Sequence, residues 1–597
     1  LIQNSLPEPD TINVNNFDNY RTGISTFISI LPKDASFNSD YFKSGEAGDI
    51  NINASEIIEL TGNKSGAFSP VFKKESLASS KLDTGIISGT TGSGTAGSAN
   101  INTAQLIIKN GAGISTSSIS PASLTTVFPD LFSPLLDGGI YSLITDATIQ
   151  TINDKLAQIS DAGDSGELFI DANKIELVGR SGLTTSTFSS GNAGNLIINN
   201  TDQFTLKDGA IVSTSTFSTG DAGDLQVTTD KLTVDSGSLI GAGTLDEGEG
   251  GKVSITALDS VTITGSSNAS DGEKVFSRIT NTAEADATGN AGELIVDTKK
   301  LIIADGAQIS ASTESTQGGE ITLQGLDSLE LRNGEISASS LDGEAGDIII
   351  NAKDFVEISD NSKIASEAKG TGVAGFIEIN TKNLNITDAS IASVNSQKEA
   401  GYILVNADDI TIDNLSKVTA ETKSGISGDI EFKNLQNLKI SKESLISATT
   451  IDGEAGDITI NATDEVKIER GSKIASGAVG KGEAGFLEII TNNLNINDNS
   501  NVVVSSAEQG DAGLISIKAS NINLTNEAKI SANTVSGDGG DIELENLKTL
   551  YLSQNSFISA TTVDGTAGNI EIDATDSITV ENNRSEERRV GKECRSR

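Results

Sequence analysis

Carboxylates are the main candidates for chemistry in this chain, because the sequence offers few other reactive groups. There is no His, and the single Cys is Cys594, so His general bases, His metal ligands and internal disulfides are excluded. Aspartates recur just before one kind of apolar segment, at Asp347, Asp429, Asp457 and Asp541. Clustered carboxylates could support acid–base catalysis or bind Ca²⁺. A catalytic site is normally a break in a repeat, whereas these residues belong to one, so we expect them to form a structural corner.

Two further kinds of acidic pattern give no site. Asp408 and Asp409 are adjacent, and on a strand their side chains would point to opposite faces. GDGGD at 537–541 and DAGD at 221–224 are faintly similar to Ca²⁺-binding nonapeptide rolls, but the nine-residue tandem is absent. We therefore predict no catalytic residues, no metal ligands and no cofactor. Ca²⁺ is the one metal that stacked corner carboxylates could attract.

The charge of the chain excludes several classes of partner. Its 597 residues hold 42 Lys+Arg against 83 Asp+Glu, a net charge of −41. Nucleic acids and anionic membrane surfaces would be repelled. No apolar run exceeds four residues, so we predict no membrane insertion. The chain starts at Leu1 without a signal peptide, and we interpret it as a fragment of an exported protein.

A repeat of about 28 residues organises most of the chain. Its marker is a Gly-containing turn followed by an alternating segment, and successive markers lie 26 to 29 residues apart with one interval of 41. The marker glycines are at 194, 223, 251, 292, 319, 346, 375, 401, 428, 456, 485, 513, 540 and 568. A longer period is superimposed, because GEAGDIIINA at 343–352 returns as GEAGDITINA at 453–462, an offset of 110. Such self-similarity is typical of a solenoid.

Apolar residues within one unit follow a period of two. The unit after Gly346 carries Ile348, Ile350 and Ala352, then Val356 and Ile358, then Ile364. Three short strands per unit, each with one apolar face, predict an all-β, right-handed parallel β-helix in which each unit forms one coil. An antiparallel sandwich has similar strand spacing but does not require every third strand to resemble the first. The marker Gly would supply either a positive φ or a close backbone approach.

The regularity of the repeat divides the chain into four parts. Residues 1–44 form an irregular segment, 45–165 hold early coils with insertions at 65–93 and 114–162, and 166–583 hold regular coils. A polar excursion around 266–286 lengthens one of these coils. Residues 584–597 carry five Arg and the only Cys, and they resemble a translated vector or adaptor sequence, so we treat them as a non-native tail.

The repeat block resembles the filamentous-haemagglutinin-like exoproteins of Gram-negative bacteria. The resemblance rests on the AG[DN]-I-x-I-x-A motif, a second I-x-I strand, S-x-I-S-A and a Gly-rich corner, and it covers about 45–583. It implies a β-helical adhesin that is located extracellularly or at the cell surface and passes through an outer-membrane export partner by two-partner secretion. The export motifs of that family are absent from this sequence.

The resulting hypothesis is a secreted or surface-anchored adhesion rod without catalysis. Its partners would be glycan or protein surfaces on host cells, neighbouring cells or matrix. One alternative is a β-helical carbohydrate-active enzyme, either a polysaccharide lyase or a hydrolase. A second alternative is a Ca²⁺-stabilised surface-layer component.

Overall fold

In the residues that it describes, the computed structural model shows a parallel β-solenoid of about 16 turns with about 28 residues per coil. It describes residues 22–28, 47–62, 84–91, 94–119, 163–187, 190–244, 246–268, 274–283, 287–314, 316–395, 397–507 and 510–581. All regular elements among these residues are strands. They belong to two compact units, the first made of 1–298 and 305–316 and the second of 299–304 and 317–597. The predicted all-β parallel β-helix is confirmed, and its right-handed sense stays a prediction.

Each coil contributes one long and one short strand. In the first unit the long strands are β2 (Ile50–Thr61), β4 (Ala99–Lys109), β6 (Leu168–Val178), β8 (Leu196–Lys207), β10 (Leu225–Asp235) and β12 (Val253–Thr264). The short strands are β1 (Thr22–Ile28), β3 (Thr84–Thr91), β5 (Ala112–Ile119), β7 (Gly182–Thr187), β9 (Ile211–Thr216), β11 (Leu239–Thr244), β15 (Arg278–Thr280) and β17 (Gln308–Ser310). Strand β16 (Leu294–Ala304) has residues in both units.

The second unit repeats this arrangement. Its long strands are β18 (Ile321–Arg332), β20 (Ile348–Ser359), β28 (Ile430–Ile440), β30 (Ile458–Ile468), β32 (Leu487–Asn497), β34 (Ile515–Thr525), β36 (Ile542–Ser553) and β38 (Ile570–Glu581). In two coils the long strand is divided, into β22 (Ile377–Asn380) with β23 (Asn383–Thr387) and β25 (Ile403–Asn406) with β26 (Asp409–Asp413). The short strands are β19 (Glu335–Ser337), β21 (Lys363–Ala368), β24 (Ser390–Asn395), β27 (Lys417–Ile426), β29 (Leu445–Glu454), β31 (Lys473–Ala478), β33 (Asn501–Ser506), β35 (Lys529–Thr534) and β37 (Phe557–Thr561).

Apart from two short strands in the polar excursion, the strands pair in parallel with their equivalents one coil away. Ile458 of β30, for example, is in register with Ile430 of β28 and with Leu487 of β32. The three apolar segments of the sequence repeat are separate strands in the two divided coils. Elsewhere the first two segments join into one strand of 11 or 12 residues, often with a register shift between them, as between Leu435 and Asn437.

The predicted inward residues form the core. In the coil after Gly346, the residues Ile348, Ile350, Val356, Ile358 and Ile364 are all 0% exposed. Stacking puts the same kind of residue above and below each of them, so the apolar side chains leave water only when coils associate. A single repeat of about 28 residues could not bury this surface, which explains why the repeat continues.

The marker glycines are required by close backbone approach. A Cβ at Gly456 would overlap the carbonyl of Gly428, and a Cβ at Gly428 would overlap that of Gly401. None of these three glycines has a positive φ. Close backbone approach, and not a positive φ, is therefore the reason for Gly at this corner.

A different corner, between the long and short strands, uses positive φ values. Asp360 and Asn361 have φ of 57° and 65°, and Asp498 and Asn499 have 54° and 58°. Asp and Asn tolerate this left-handed conformation better than most residues. The turn explains why polar residues interrupt the apolar pattern at the same place in successive coils.

A buried serine follows that turn in many coils. The backbone N–H of Ser444 donates to Oγ of Ser472 over 3.2 Å, and the N–H of Ser472 donates to Oγ of Ser500 over 3.2 Å. Ser444 Oγ in turn donates to the carbonyl of Ser441 over 2.7 Å. These hydroxyls satisfy backbone groups that the turn would otherwise leave without partners.

Parts of both predicted insertions form strands in the described residues. Strand β3 lies in the range 65–93, and β5 continues into 114–162 as far as Ile119. Both pair in parallel with neighbouring coils, so these stretches are coil strands. The rest of both insertions and the 584–597 tail lie outside the described residues. In the irregular segment 1–44, β1 pairs in parallel with β3.

The polar excursion is a small antiparallel hairpin. Strand β13 (Ser266–Asn268) pairs with β14 (Lys274–Phe276), and the chain then returns to the coil at β15. The excursion therefore interrupts one coil without breaking the stacking of β11 on β15.

Candidate functional site

The corner aspartates bond to the backbone of the following coil. Asp347 Oδ1 accepts the N–H of Phe376 over 2.8 Å, and Asp429 Oδ1 accepts that of Asp457 over 2.8 Å. Asp457 and Asp541 make the same bond, to Phe486 over 2.7 Å and to Asn569 over 2.6 Å. The repeated carboxylates thus act as side-chain links between coils, as the sequence predicts for members of a repeat.

The aspartates of the other acidic patterns also accept hydrogen bonds from neighbouring coils. Asp221 and Asp224 accept the N–H groups of Glu249 and Lys252 over 3.0 and 2.9 Å, and Asp538 accepts that of Thr566 over 3.1 Å. The Asp409 carboxylate accepts from the Asn437 amide over 2.8 Å. No group of three acidic side chains suited to a metal occurs among the described residues. Binding of Ca²⁺ stays a prediction.

The corner column is interrupted by aromatic residues in consecutive coils. Phe376 and Tyr402 each follow the marker Gly of their coil. Asp347 has this position in the preceding coil, and Asp429 has it in the following coil. Their rings stack with centroids 5.6 Å apart and planes 3° from parallel. On the side of the preceding coil, the Asp347 carboxylate bonds to the Phe376 backbone N–H.

A charged pair lies beside this stack on the same outer face. The Tyr402 hydroxyl donates to Oε2 of Glu431. Lys433 Nζ lies 2.8 Å from the same Oε2. Glu431 and Lys433 alternate with the buried Phe432, so both point outward from β28. We call Phe376, Tyr402, Asp429, Glu431 and Lys433 the Tyr402 cluster.

The pKa values of the two carboxyl groups in the Tyr402 cluster are shifted in opposite directions. Partial burial and the neighbouring charges of Asp457 and Glu431 raise the pKa of Asp429, against the backbone hydrogen bond from Asp457. Burial also opposes ionisation of Glu431, but hydrogen bonds from Lys433 and Tyr402 outweigh it and lower the pKa of that carboxyl. Burial and the adjacent Glu431 raise the pKa of the Tyr402 phenol, which is therefore a hydrogen-bond donor and not a base at neutral pH.

Replacing Tyr402 with Phe is expected to raise the pKa of Glu431 towards its ordinary value, because one donor to its ionised form is lost. In the native chain the lowered pKa contributes stability above the unfolded-state pKa of about 4.3, and this contribution is lost as pH falls through the folded-state value. Carboxyl-carbon NMR titration measures the shift. Tyr551→Phe is the matched control, since that hydroxyl lies near Glu581 and not Glu431. An unchanged Glu431 titration in the Tyr402 variant would contradict the assignment.

A ladder of amides borders the Tyr402 cluster. Asn380 donates to Asn351 over 2.8 Å, and Asn406 donates to Asn380 over 2.7 Å. Asn380 also donates to Glu378 over 2.8 Å. The outer face of these coils therefore combines aromatic rings, a carboxylate–ammonium pair and amides. This mixture can stack on the apolar face of a ring-shaped ligand and hydrogen-bond to its hydroxyl groups.

Fold and surface together define a β-solenoid protein whose repeated polar residues mainly join coils. Comparison with protein-family models, with curated proteins and with solved structures gives no match to this chain. The resemblance to haemagglutinin-like exoproteins accordingly stays a prediction from the repeat motifs. Within the described residues, there is no helix of the length and apolarity needed to cross a membrane.

Sequence reasoning missed the Tyr402 cluster, although one signal was present. Aligning the corner positions shows Phe376 and Tyr402 where most coils carry Asp, Asn or another small or polar residue. Glu431 is harder to find, because it lies two residues beyond the corner of its own coil and meets Tyr402 diagonally across strands.

Proposed function

We propose that this chain is the adhesive or structural solenoid of a secreted or cell-surface protein and does not catalyse a reaction. The observation that carries the proposal is the use of the repeated carboxylates, each of which accepts a backbone N–H from the next coil. Acidic residues that could have served chemistry instead hold the solenoid together. A net charge of −41 would also keep neighbouring copies apart.

The location and route of export follow from the family resemblance. We propose an extracellular or surface position on a Gram-negative bacterium and transport by an outer-membrane partner. A chain with one Cys, in the tail that we consider non-native, suits export. Antibody labelling of intact cells that express the native gene would test the surface position, and a purely cytoplasmic signal would contradict it.

Within this role, the Tyr402 cluster is the proposed glycan-binding face. The rings of Phe376 and Tyr402 offer apolar surface for the C–H groups of a sugar. Glu431 and Lys433 offer an acceptor and a donor for its hydroxyl groups. The surface of a host cell, a neighbouring cell or the matrix would supply such glycans.

We expect the Phe376→Ala/Tyr402→Ala double variant to weaken binding to the best glycan by about tenfold or more, because stacked rings dominate such contacts. A glycan array read with the full chain, followed by attachment to glycan-bearing cells, measures this. Phe486→Ala is the matched control, since Phe486 occupies the same corner two coils beyond Asp429 and is outside the cluster. Attachment that is equal in all three proteins would exclude the Tyr402 cluster as the glycan-binding face.

One observation favours a second candidate, a carbohydrate-active enzyme. Asp429 and Glu431 lie two residues apart on one face, with pKa values shifted up and down respectively. Two carboxyl groups with pKa values shifted apart are typical of glycoside cleavage, in which one acts as the acid and the other as the base or nucleophile. Incubating the chain with acidic and neutral polysaccharides, beside Asp429→Asn and Glu431→Gln variants, distinguishes the two functions. New reducing or unsaturated ends that both variants abolish would establish the enzyme.

A further inference from the structure

The second unit exposes one apolar side chain at the same place in five consecutive coils. These residues lie 28 positions apart, immediately after the inward residues of the short strands. They are Ile451, Val479, Ala507, Val535 and Val563, and we call them the apolar ridge. Ile451 is 47% exposed, Val479 60%, Val535 47% and Val563 83%.

Folding does not explain the apolar character of the ridge. The backbone at these positions is held by bonds between coils, such as Val479 N–H to the Thr450 carbonyl over 2.9 Å. The same place holds Lys369 and Lys423 in other coils of this unit, so a polar side chain is accommodated there. Five consecutive exposed apolar residues therefore indicate a contact surface.

The two flanks of the ridge differ. On one side lies the outward residue nearest to the ridge in each of β29, β31, β33, β35 and β37, and these five are small or neutral: Thr449, Gly477, Ser505, Asn533 and Thr561. On the other side, the described exposed charges are six carboxylates and one amine. They are Asp452, Glu454, Glu483, Asp511, Asp538 and Asp564, with Lys481. The ridge thus separates a shelf with little side-chain bulk from an acidic border.

We propose that the apolar ridge and its acidic border bind an amphipathic helix with a cationic flank, supplied by another polypeptide. Coils are spaced by about 4.8 Å and helix turns by about 5.4 Å, so a helix along the ridge places about one apolar residue against each coil. A strand in that direction would present a side chain on one face only every 6.8 Å or so, out of step with the coils. Lys and Arg beside the apolar stripe of the helix would face the carboxylates.

This polypeptide-binding surface is additional to the proposed glycan-binding face and does not depend on it. The probe is a fluorescent peptide of about 18 residues, made of Leu on one helical face and Lys on the other, which spans five coils. Fluorescence anisotropy with the full chain measures its affinity. The matching Leu/Glu peptide tests the sign of the charge.

We expect the Leu/Lys peptide to bind, and the Val479→Ser/Val535→Ser/Val563→Ser variant to bind it at least about tenfold more weakly. The control variant Leu258→Ser/Leu415→Asn removes two exposed apolar residues away from the ridge and should bind like the native chain. Asp511→Asn/Asp538→Asn keeps the oxygen acceptors but should weaken binding and reduce its dependence on salt. Equal binding by the ridge variant and the native chain, equal binding of the Leu/Glu peptide, or no binding by the native chain would each overturn the proposal.

Attachment to glycan-bearing cells is measured on the same ridge variant. Retained attachment with lost peptide binding is the expected result, since the Tyr402 cluster is unchanged. Attachment that fails together with peptide binding would overturn the independence of the two surfaces.

Discussion

Replacing Gly456 with Ala is expected to open the coils on either side of it. The new methyl group would overlap the carbonyl of Gly428, a backbone atom that cannot move without breaking its own coil contacts. Overpacking usually costs about 1–3 kcal/mol, and a clash with rigid backbone belongs at or above the upper end of that range. Hydrogen exchange is the appropriate measurement, because a repeat protein opens locally and a single global unfolding free energy is not defined.

Gly471 provides the matched control for this experiment. It has φ of 76° at the other corner, where equivalent coils carry Asn361 and Asn499 in the same left-handed region. Gly471→Asn should therefore change hydrogen exchange very little. If Gly456→Ala is as harmless as Gly471→Asn, close approach is not the reason for the marker glycines.

Ile460→Ala is also expected to reduce the local stability of the solenoid by a large amount. Ile460 is 0% exposed and lies in register between Phe432 and Ile489. Removing a buried Ile side chain costs about 2–5 kcal/mol, because the coils above and below cannot close the cavity completely. Protection of the amides in β28, β30 and β32 should fall together.

Thr459 is the control for Ile460, since it adjoins it on the opposite face of β30. Thr459→Ala should alter local stability by no more than about 0.5 kcal/mol, as is usual at a surface position. Equal effects at both positions would mean that the assignment of inward and outward faces is wrong. Amide exchange measured by mass spectrometry covers both variants in one experiment.

The core was predictable from the sequence because a stacked parallel fold gives each inward position the same environment in every coil. Ile348 and Ile458 are equivalent in sequence and both are 0% exposed. The joining of two segments into one long strand was not predictable, because the alternation keeps its phase from Ile348 to Ile358 whether or not the strand ends between them. The hairpin β13–β14 was also missed, since the polar excursion could equally have been a loop.

The functional surface was harder to predict than the core. Corner carboxylates such as Asp347 were interpreted as structural because they belong to the repeat, and Asp347 bonds to the backbone of the next coil. The Tyr402–Glu431 contact joins different positions of two coils, so no comparison of equivalent residues predicts it. The buried serines illustrate the same limit: Ser472 looks like a surface residue in composition, but the turn directs its hydroxyl to the Ser444 backbone.

The near-identical blocks at 343–352 and 453–462 have a consequence for the evolution of the gene. Both contain GEAGDI at the same point of a coil, exactly where Gly346 and Gly456 meet the preceding coil. Unequal crossing-over between the two coding stretches would delete 110 residues, or four whole coils, and would join Gly346 directly to Asp457. Every remaining strand would still have a neighbour of its own kind, so alleles of different length would all fold.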